Sequence, residues 1–284
     1  MPHHHDHDDE FDRGLAHDLT TLATRRRVLG LFGSAAAAVA LAACGSSGSS
    51  GSSATTTGAS GTAASTPASA GSSSSTSGGA IPEETAGPYP GDGSNGPDVL
   101  GTEGIVRQDI TSSFAGLSGT AGGEPLTIRF AVTDPSGAAR RGLAVYAWHC
   151  TAEGGYSLYS SGLEDQNFLR GVQETDADGI ASFTSVFPGC YDGRWPHVHF
   201  EVYSSLDDIA AGQPIATSQI ALPEDTCAEV YASDDRYSSS VANLTRVSLE
   251  TDMVFADSWE QELGTITGAV GDGLTVELAV PVSA

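Results

Sequence analysis

Pro188-Gly-Cys-Tyr-Asp-Gly-Arg-Trp-Pro-His-Val-His-Phe-Glu-Val-Tyr203 is the stretch on which the reading of this chain turns. From His197 onward the residues alternate, with Val198, Phe200 and Val202 interleaved among His197, His199, Glu201 and Tyr203. That two-residue period is the signature of a strand with two distinct faces. His197 and His199 therefore project to the same side, where two imidazoles reach a common ion without backbone distortion. A tyrosine and an arginine, Tyr191 and Arg194, stand just before them.

Outward from this segment, short β-like runs separated by Gly, Pro and Asp turns recur. Residues 126–133 (LTIRFAVT) lead through Asp134-Pro-Ser-Gly137 into the apolar run 143–148 (LAVYAW), which suits a buried strand. Residues 172–175 and 180–183 flank Asp176-Ala-Asp-Gly179, and residues 264–270 and 274–280 flank Gly271-Asp-Gly273, so each pair predicts a hairpin. Residues 224–232 are the best candidate for a short helix. The pattern predicts an all-β protein, an antiparallel β-sandwich with short helices.

Two histidines do not close a metal site. Eight occur in all, at positions 3, 4, 5, 7, 17, 149, 197 and 199. The first five fall in a leader expected to be removed, so His149 is the spare imidazole and other ligands must be of another type.

The leader is read from Thr24-Arg25-Arg26-Arg27-Val28-Leu29-Gly30, a twin-arginine pattern followed by an uncharged apolar run to Ala43. It ends at Leu41-Ala42-Ala43-Cys44-Gly45, which resembles a lipobox with Cys44 as the lipidated residue. The run falls short of the about 20 residues of a membrane-spanning helix. Residues 45–80 are almost entirely Gly, Ser, Ala and Thr, too poor in apolar surface to fold, and as a random coil they reach about 30 Å. The expected organisation is an export signal over 1–44, a tether over 45–80 and a β-sandwich domain over 81–284. The expected location is extracytoplasmic, anchored to the cell membrane through Cys44.

The formal net charge is -24, and all twelve cationic residues are arginine. Such a balance argues against a nucleic-acid partner, and the absence of lysine excludes Schiff-base chemistry. With Cys44 assigned to the lipobox, Cys150, Cys190 and Cys227 in an oxidising compartment predict one disulfide and one spare thiol, without indicating which two pair. None has CxxC spacing, so a thiolate zinc or redox motif is not supported.

Two tyrosine contexts complete the pattern. Trp148-His149-Cys-Thr-Ala-Glu-Gly-Gly-Tyr156-Ser157 places one tyrosine after a turn that ends a buried strand, and Pro188-Gly189-Cys190-Tyr191 places another six residues before His197. Here the chain resembles the intradiol ring-cleavage dioxygenases, especially their secreted bacterial lipoprotein branch. Glu84-Thr-Ala-Gly-Pro-Tyr89 is similar to that family's TxGPY segment, Phe168-Leu-Arg-Gly-Val-Gln173 to its FLRGxQ strand, and Thr217-Ser-Gln219 to its TxQ segment. Tyr191 lies closer to His197 than in the cytoplasmic catechol and protocatechuate enzymes, although the secreted branch is similar. The helical N-terminal region through which catechol enzymes dimerise has no counterpart, which leaves the oligomeric state open.

The resemblance implies a β-sandwich that holds non-haem Fe(III) through Tyr156, Tyr191, His197 and His199. Hard phenolate donors suit Fe(III), and a trivalent cation holds a phenol deprotonated although it normally titrates near 10. The implied substrates are O2 and a catechol-type aromatic, cleaved between its two hydroxyl-bearing carbons to a muconate-type product. In the family's scheme Tyr191 leaves the iron and takes a substrate proton, Arg194 stabilises carbanionic character on the ring, and Gln219 lies near the iron-bound oxygens. His149 matches a non-ligand position and is expected to be structural. Tyr89, Tyr159 and Trp195 are candidates for the substrate mouth, each with ordinary packing as the alternative. For Arg194 the alternative is a surface pair with Asp192 or another carboxylate. Against the enzyme stand a non-catalytic metal- or phenol-binding lipoprotein and a cupin-like oxygenase. The latter is disfavoured because no histidine follows His199.

Overall fold

Where apolar and polar residues alternate, the chain forms strands, and where Gly, Pro and Asp cluster it turns. The computed structural model describes residues 79–283. The twin-arginine segment, Cys44 and residues 45–78 of the expected tether lie outside them. Eight strands are present among the described residues: β1 (Pro125–Thr133), β2 (Ala144–Trp148), β3 (Arg170–Glu174), β4 (Ile180–Val186), β5 (His197–Tyr203), β6 (Ala216–Ala221), β7 (Thr265–Ala269) and β8 (Gly273–Pro281). They form two four-stranded sheets, ordered β4-β1-β8-β7 and β3-β2-β5-β6. Three short helices follow β6: α1 (Glu224–Ser233), α2 (Ser238–Leu244) and α3 (Trp259–Glu262). The first starts beyond Pro223 with Glu224 and Asp225 in its opening turn, where carboxylates favour the positive end of the helix dipole. Among the described residues no helix is long and apolar enough to cross a membrane.

The expected sandwich is present, with one correction to its strand pairing: the hairpin expected around residues 176–179 is not formed, because β3 pairs with β2 and β4 with β1 in the other sheet, and one strand pair is not antiparallel. β1 and β8 pair in parallel, from Leu126↔Leu274 to Thr133↔Pro281. Hairpin signals report only antiparallel neighbours, whereas a parallel pair needs a long crossover. Here nearly the whole domain lies between the two strands.

The core fills the space between the sheets. Phe130 of β1 sits 4.8 Å from Phe200 of β5 and 6.0 Å from Phe183 of β4, ring centre to ring centre. Val198, Phe200 and Val202 face this layer, so the opposite face of β5 carries His197, His199, Glu201 and Tyr203. That face is buried too, beneath a segment before β1 from which Val99, Leu100, Ile105 and Phe114 pack on Tyr146, Trp148, Val172 and Tyr203.

A second correction concerns the cysteines. Cys150, Cys190 and Cys227 are all buried free thiols. Cys150 Sγ donates to the carbonyl of Gly189 and Cys190 Sγ to that of Arg194, each at 3.5 Å. Burial pushes both thiols up to about 12, so they behave as small core residues rather than as reactive thiolates.

Candidate metal centre

Strand register builds the site. His199 lies opposite Trp148 on β2 and Gln219 on β6, while Trp148 lies opposite Arg170 on β3. Arg170, Trp148, His199 and Gln219 thus form one row across the outer face of the second sheet. The Trp148 indole stacks on the His199 ring at 4.9 Å with only 4° between their planes. Among the described residues no group bonds His199 Nδ1, so stacking rather than a hydrogen bond at that nitrogen steadies this imidazole. His197 is held differently: its Nδ1 lies 2.5 Å from the Trp195 carbonyl. A carbonyl only accepts, so Nδ1 carries the proton and Nε2 presents its lone pair.

Two turns bring tyrosines to that lone pair. The turn after β2 delivers Tyr156, whose backbone N–H donates to Ser160 Oγ at 2.8 Å. The turn before β5 delivers Tyr191 and is braced by the helices. There Ser240 Oγ accepts from the Cys190 N–H at 2.9 Å, Asn243 donates to the Cys190 carbonyl at 2.8 Å, and Tyr231 donates to the Pro188 carbonyl at 3.0 Å. Gly154 lets the two turns meet. It sits at φ +91°, and a Cβ there would come within 3.2 Å of Tyr191 Cβ.

Four donor atoms converge as a result. Tyr156 Oη and Tyr191 Oη each lie 3.4 Å from His197 Nε2, and His199 Nε2 lies 3.1 Å from it. Ligands about 2.1 Å from one ion, at angles between square and tetrahedral, are separated by about 3.0–3.4 Å. The donor set therefore fits one small cation. Among the described residues no group of three or more His, Cys, Asp or Glu is arranged to hold a metal, and it is the phenols that complete this set. His149 stands apart, with Nδ1 2.8 Å from the Cys150 carbonyl and Nε2 2.6 Å from Ser185 Oγ.

Residues 95–207 match the protein-family model described as Dioxygenase, a span that holds all four donors and Arg194. In this span the chain resembles the dioxygenase family, without the match reaching half of its length. It is similar to the chlorocatechol 1,2-dioxygenase of Rhodococcus opacus, 36% identical over 70 residues that make up 25% of this chain and 27% of that protein. The chain therefore aligns with only about a quarter of the length of that curated relative. In fold it resembles the intradiol ring-cleavage dioxygenase from Tetranychus urticae, with a TM-score of 0.52 at 23% identity over 64% of this chain and 88% of that one. Another solved dioxygenase structure overlaps 72% of this chain and 94% of its own with a TM-score of 0.56, again at 23% identity.

The environment of this centre keeps His197, His199 and the Tyr156 phenol neutral when no cation is present. Burial, reinforced by the Arg194 charge, pushes His197 down to about 3. Burial and the neighbouring His197 hold His199 well below the usual imidazole range. Burial and Tyr191 hold the Tyr156 phenol well above its ordinary value. His197 offers its Nε2 lone pair at once, whereas the phenols donate as anions only to a cation strong enough to displace their protons. The tyrosines also differ in access, because Tyr156 is buried and Tyr191 half-buried.

Arg194 is not a surface residue paired with Asp192, whose carboxylate lies 3.6 Å from Arg246. It is buried, with Nε 3.0 Å from Asp252 Oδ2 and Nη2 donating to Gln219 Oε1 at 2.7 Å. Gln219 Nε2 in turn donates to the Thr85 carbonyl at 2.9 Å, so both ends of this amide are engaged. Asp252 also accepts from the backbone N–H groups of Trp195, Val254 and Phe255. No local pattern around Asp252 singled it out in the sequence, and it reaches Arg194 only because the chain after α2 folds back under β5. Trp195 packs on Ala221 and Phe255 and donates to the Leu222 carbonyl, so it belongs to the packing rather than to a mouth. Tyr89 does face the site, its ring 4.9 Å from that of Tyr156.

Proposed function

We propose that this protein is an Fe(III) intradiol dioxygenase that opens catechol-type aromatics with O2 to muconate-type products. The observation that carries the reading is the convergence of two phenol oxygens and the His199 Nε2 on His197 Nε2, each within 3.4 Å of it. Tyr156, Tyr191, His197 and His199 would hold ferric iron, which would supply Lewis acidity and a template for a catecholate and dioxygen.

The protein's own groups do the rest. Tyr156, buried and pinned by its turn, is the fixed phenolate. Tyr191, half-buried on the other turn, is the one with room to swing away, and its Oη accepts the proton that a catechol hydroxyl gives up on binding. Arg194, held rigid by Asp252, presents positive charge to a ring that becomes electron-rich, a fixed electrostatic role that requires no reorganisation. Gln219 orients the Arg194 guanidinium from the opposite side. We further propose that the enzyme works outside the cytoplasm on a tether lipidated at Cys44, as the twin-arginine and lipobox patterns indicate. Cys44→Ala would then move it from the detergent phase to the aqueous phase.

Absorption spectroscopy with oxygen uptake tests the assignment. Iron-loaded protein is expected to be red-brown from tyrosinate-to-iron charge transfer, to shift its band on addition of catechol, and to lose most of the colour in Tyr156→Phe. A colourless iron-loaded protein rejects the ferric tyrosinate centre. A band that shifts while oxygen uptake stays at background favours a phenol-binding protein over an enzyme.

A further inference from the structure

The FLRG segment finds no role among the four donors or Arg194, yet it places a buried arginine at the end of the site's row. Arg170 is 1% exposed, and among the described residues no carboxylate lies within ion-pair distance. Its guanidinium divides between two segments. On one side Nε donates to Ser157 Oγ and Nη2 to the Ser157 carbonyl, both at 3.0 Å, gripping the turn that carries Tyr156. On the other side Nη1 donates to the Pro90 carbonyl at 2.8 Å, gripping the segment that carries Tyr89.

Two tyrosines reinforce the second grip. Tyr146 Oη donates to the same Pro90 carbonyl at 2.6 Å, and Tyr159 Oη accepts the Gly91 N–H at 2.9 Å while its ring lies under Arg170 at 5.5 Å. The backbone is adapted to this junction in three places. Gly91 sits at φ +70°, and a Cβ there would meet Arg170 Nη1 at 3.0 Å and Tyr146 Oη at 3.4 Å. Leu158 and Leu169, the neighbours of Ser157 and Arg170, both hold positive φ, 74° and 56°. Such angles are uncommon for side-chain-bearing residues and persist only where surrounding contacts overdetermine them.

We propose that Arg170 is a positioning residue that latches the strap of residues 84–91 to the Tyr156 turn and so sets how Tyr89 closes over the site. Arginine suits this task because its planar fork reaches carbonyls on both segments at once, which a lysine point charge cannot do. A latch of this kind acts on the bound substrate rather than on the bond-making step, so its loss weakens binding more than turnover. The consequence for substrate binding rests on the dioxygenase reading; the latch itself does not.

Hydrogen exchange of the metal-free protein, read by mass spectrometry, tests the latch independently of any activity. In Arg170→Met the amides of residues 84–91 are expected to exchange at least about tenfold faster while those of β5 and β6 keep their rates, a local rather than global opening. Arg170→Lys should fall between. Gly91→Ala, which keeps the guanidinium but crowds it, should also free the strap, and it decides the matter if Arg170→Met does not fold. With iron and catechol, KM is expected to rise about tenfold or more and kcat to stay within about threefold. Strap exchange at the wild-type rate in a folded variant, or strap and β5 accelerating together, overturns the latch. An effect on kcat alone overturns its assignment to substrate closure. Absence of turnover in the unmutated, iron-loaded protein counts against the dioxygenase reading and leaves the exchange result standing.

Discussion

The two sheets of this sandwich share a core and differ in what lies on their far sides. β1 and β8 of the first sheet alternate buried and accessible residues along their whole length, and β7 is mostly exposed. β2, β5 and β6 of the second sheet are buried at every position. A sheet with one wet face needs only to keep its apolar residues inside. A sheet covered on both faces must also satisfy every polar group that it buries, and there the chain places His197, His199, Trp148, Gln219 and Arg170. The contrast teaches that burial of the outer face, not the sandwich itself, makes the reactive environment.

Neighbouring residues on β5 allow the sharpest break between structure and chemistry. Phe200→Ala empties the core side and is expected to cost about 3–5 kcal/mol, a fall in Tm of about 10 °C for a domain of this size, with iron still bound by the folded fraction. His199→Ala on the opposite face should leave Tm nearly unchanged and lower iron affinity by at least about a hundredfold, measured by metal titration. If both changes act mainly on stability, the division between the two faces is wrong.

Asp252→Asn probes a charge within the covered layer. The carboxylate and Arg194 are both essentially inaccessible to solvent, and removing one partner of such a pair costs about 3–5 kcal/mol. Denaturant unfolding should show that loss. Oxygen uptake in the remaining folded protein should fall as well, because Arg194 loses its support.

The covered face also predicts a pH dependence. Glu84 and Glu262 are buried together, both bonded by Ser258 Oγ at 3.4 and 2.9 Å. Burial first, then the charge of Glu262, raises Glu84 from 4.5 to about 8, and burial raises Glu262 to about 7. Between the ordinary and the raised values the folded state holds more protons than the unfolded one, so stability falls as pH rises through that window and levels off above about 8. Unfolding midpoints of the metal-free protein from pH 5 to 9 should trace the decline, and Glu84→Gln should flatten it.

The smallest effect belongs to the wet face. Arg129 and Glu277 pair at 2.8 Å across β1 and β8 with side chains 37% and 48% exposed. Exposed pairs contribute about 0–1 kcal/mol, so Glu277→Gln should move the unfolding midpoint little, and less still in high salt.

Much of this was legible in the residues. The HVHFEVY alternation marked β5 and the shared direction of His197 and His199, and one hairpin signal marked β7–β8, whereas the other marked only a turn between β3 and β4, which join different sheets. The donors Tyr156 and Tyr191 came from the motif match, because no periodicity distinguishes a ligand tyrosine from a packing one. The parallel β1–β8 pair stayed hidden because turn residues report only on adjacent strands. The free cysteines stayed hidden because compartment and parity say nothing about which thiols a fold brings into line.

Sequence alone determined the strand period, the turns, the acidic surface and which side chains carry donor chemistry, since these depend on residue type and spacing a few positions apart. Tertiary structure decided that Arg194 meets Asp252, that Arg170 ties Pro90 to Ser157, and that Trp148 stacks on His199. Those contacts join residues 51 to 80 positions apart, and only the register between strands and the packing of one layer on another bring such distant groups within bonding reach.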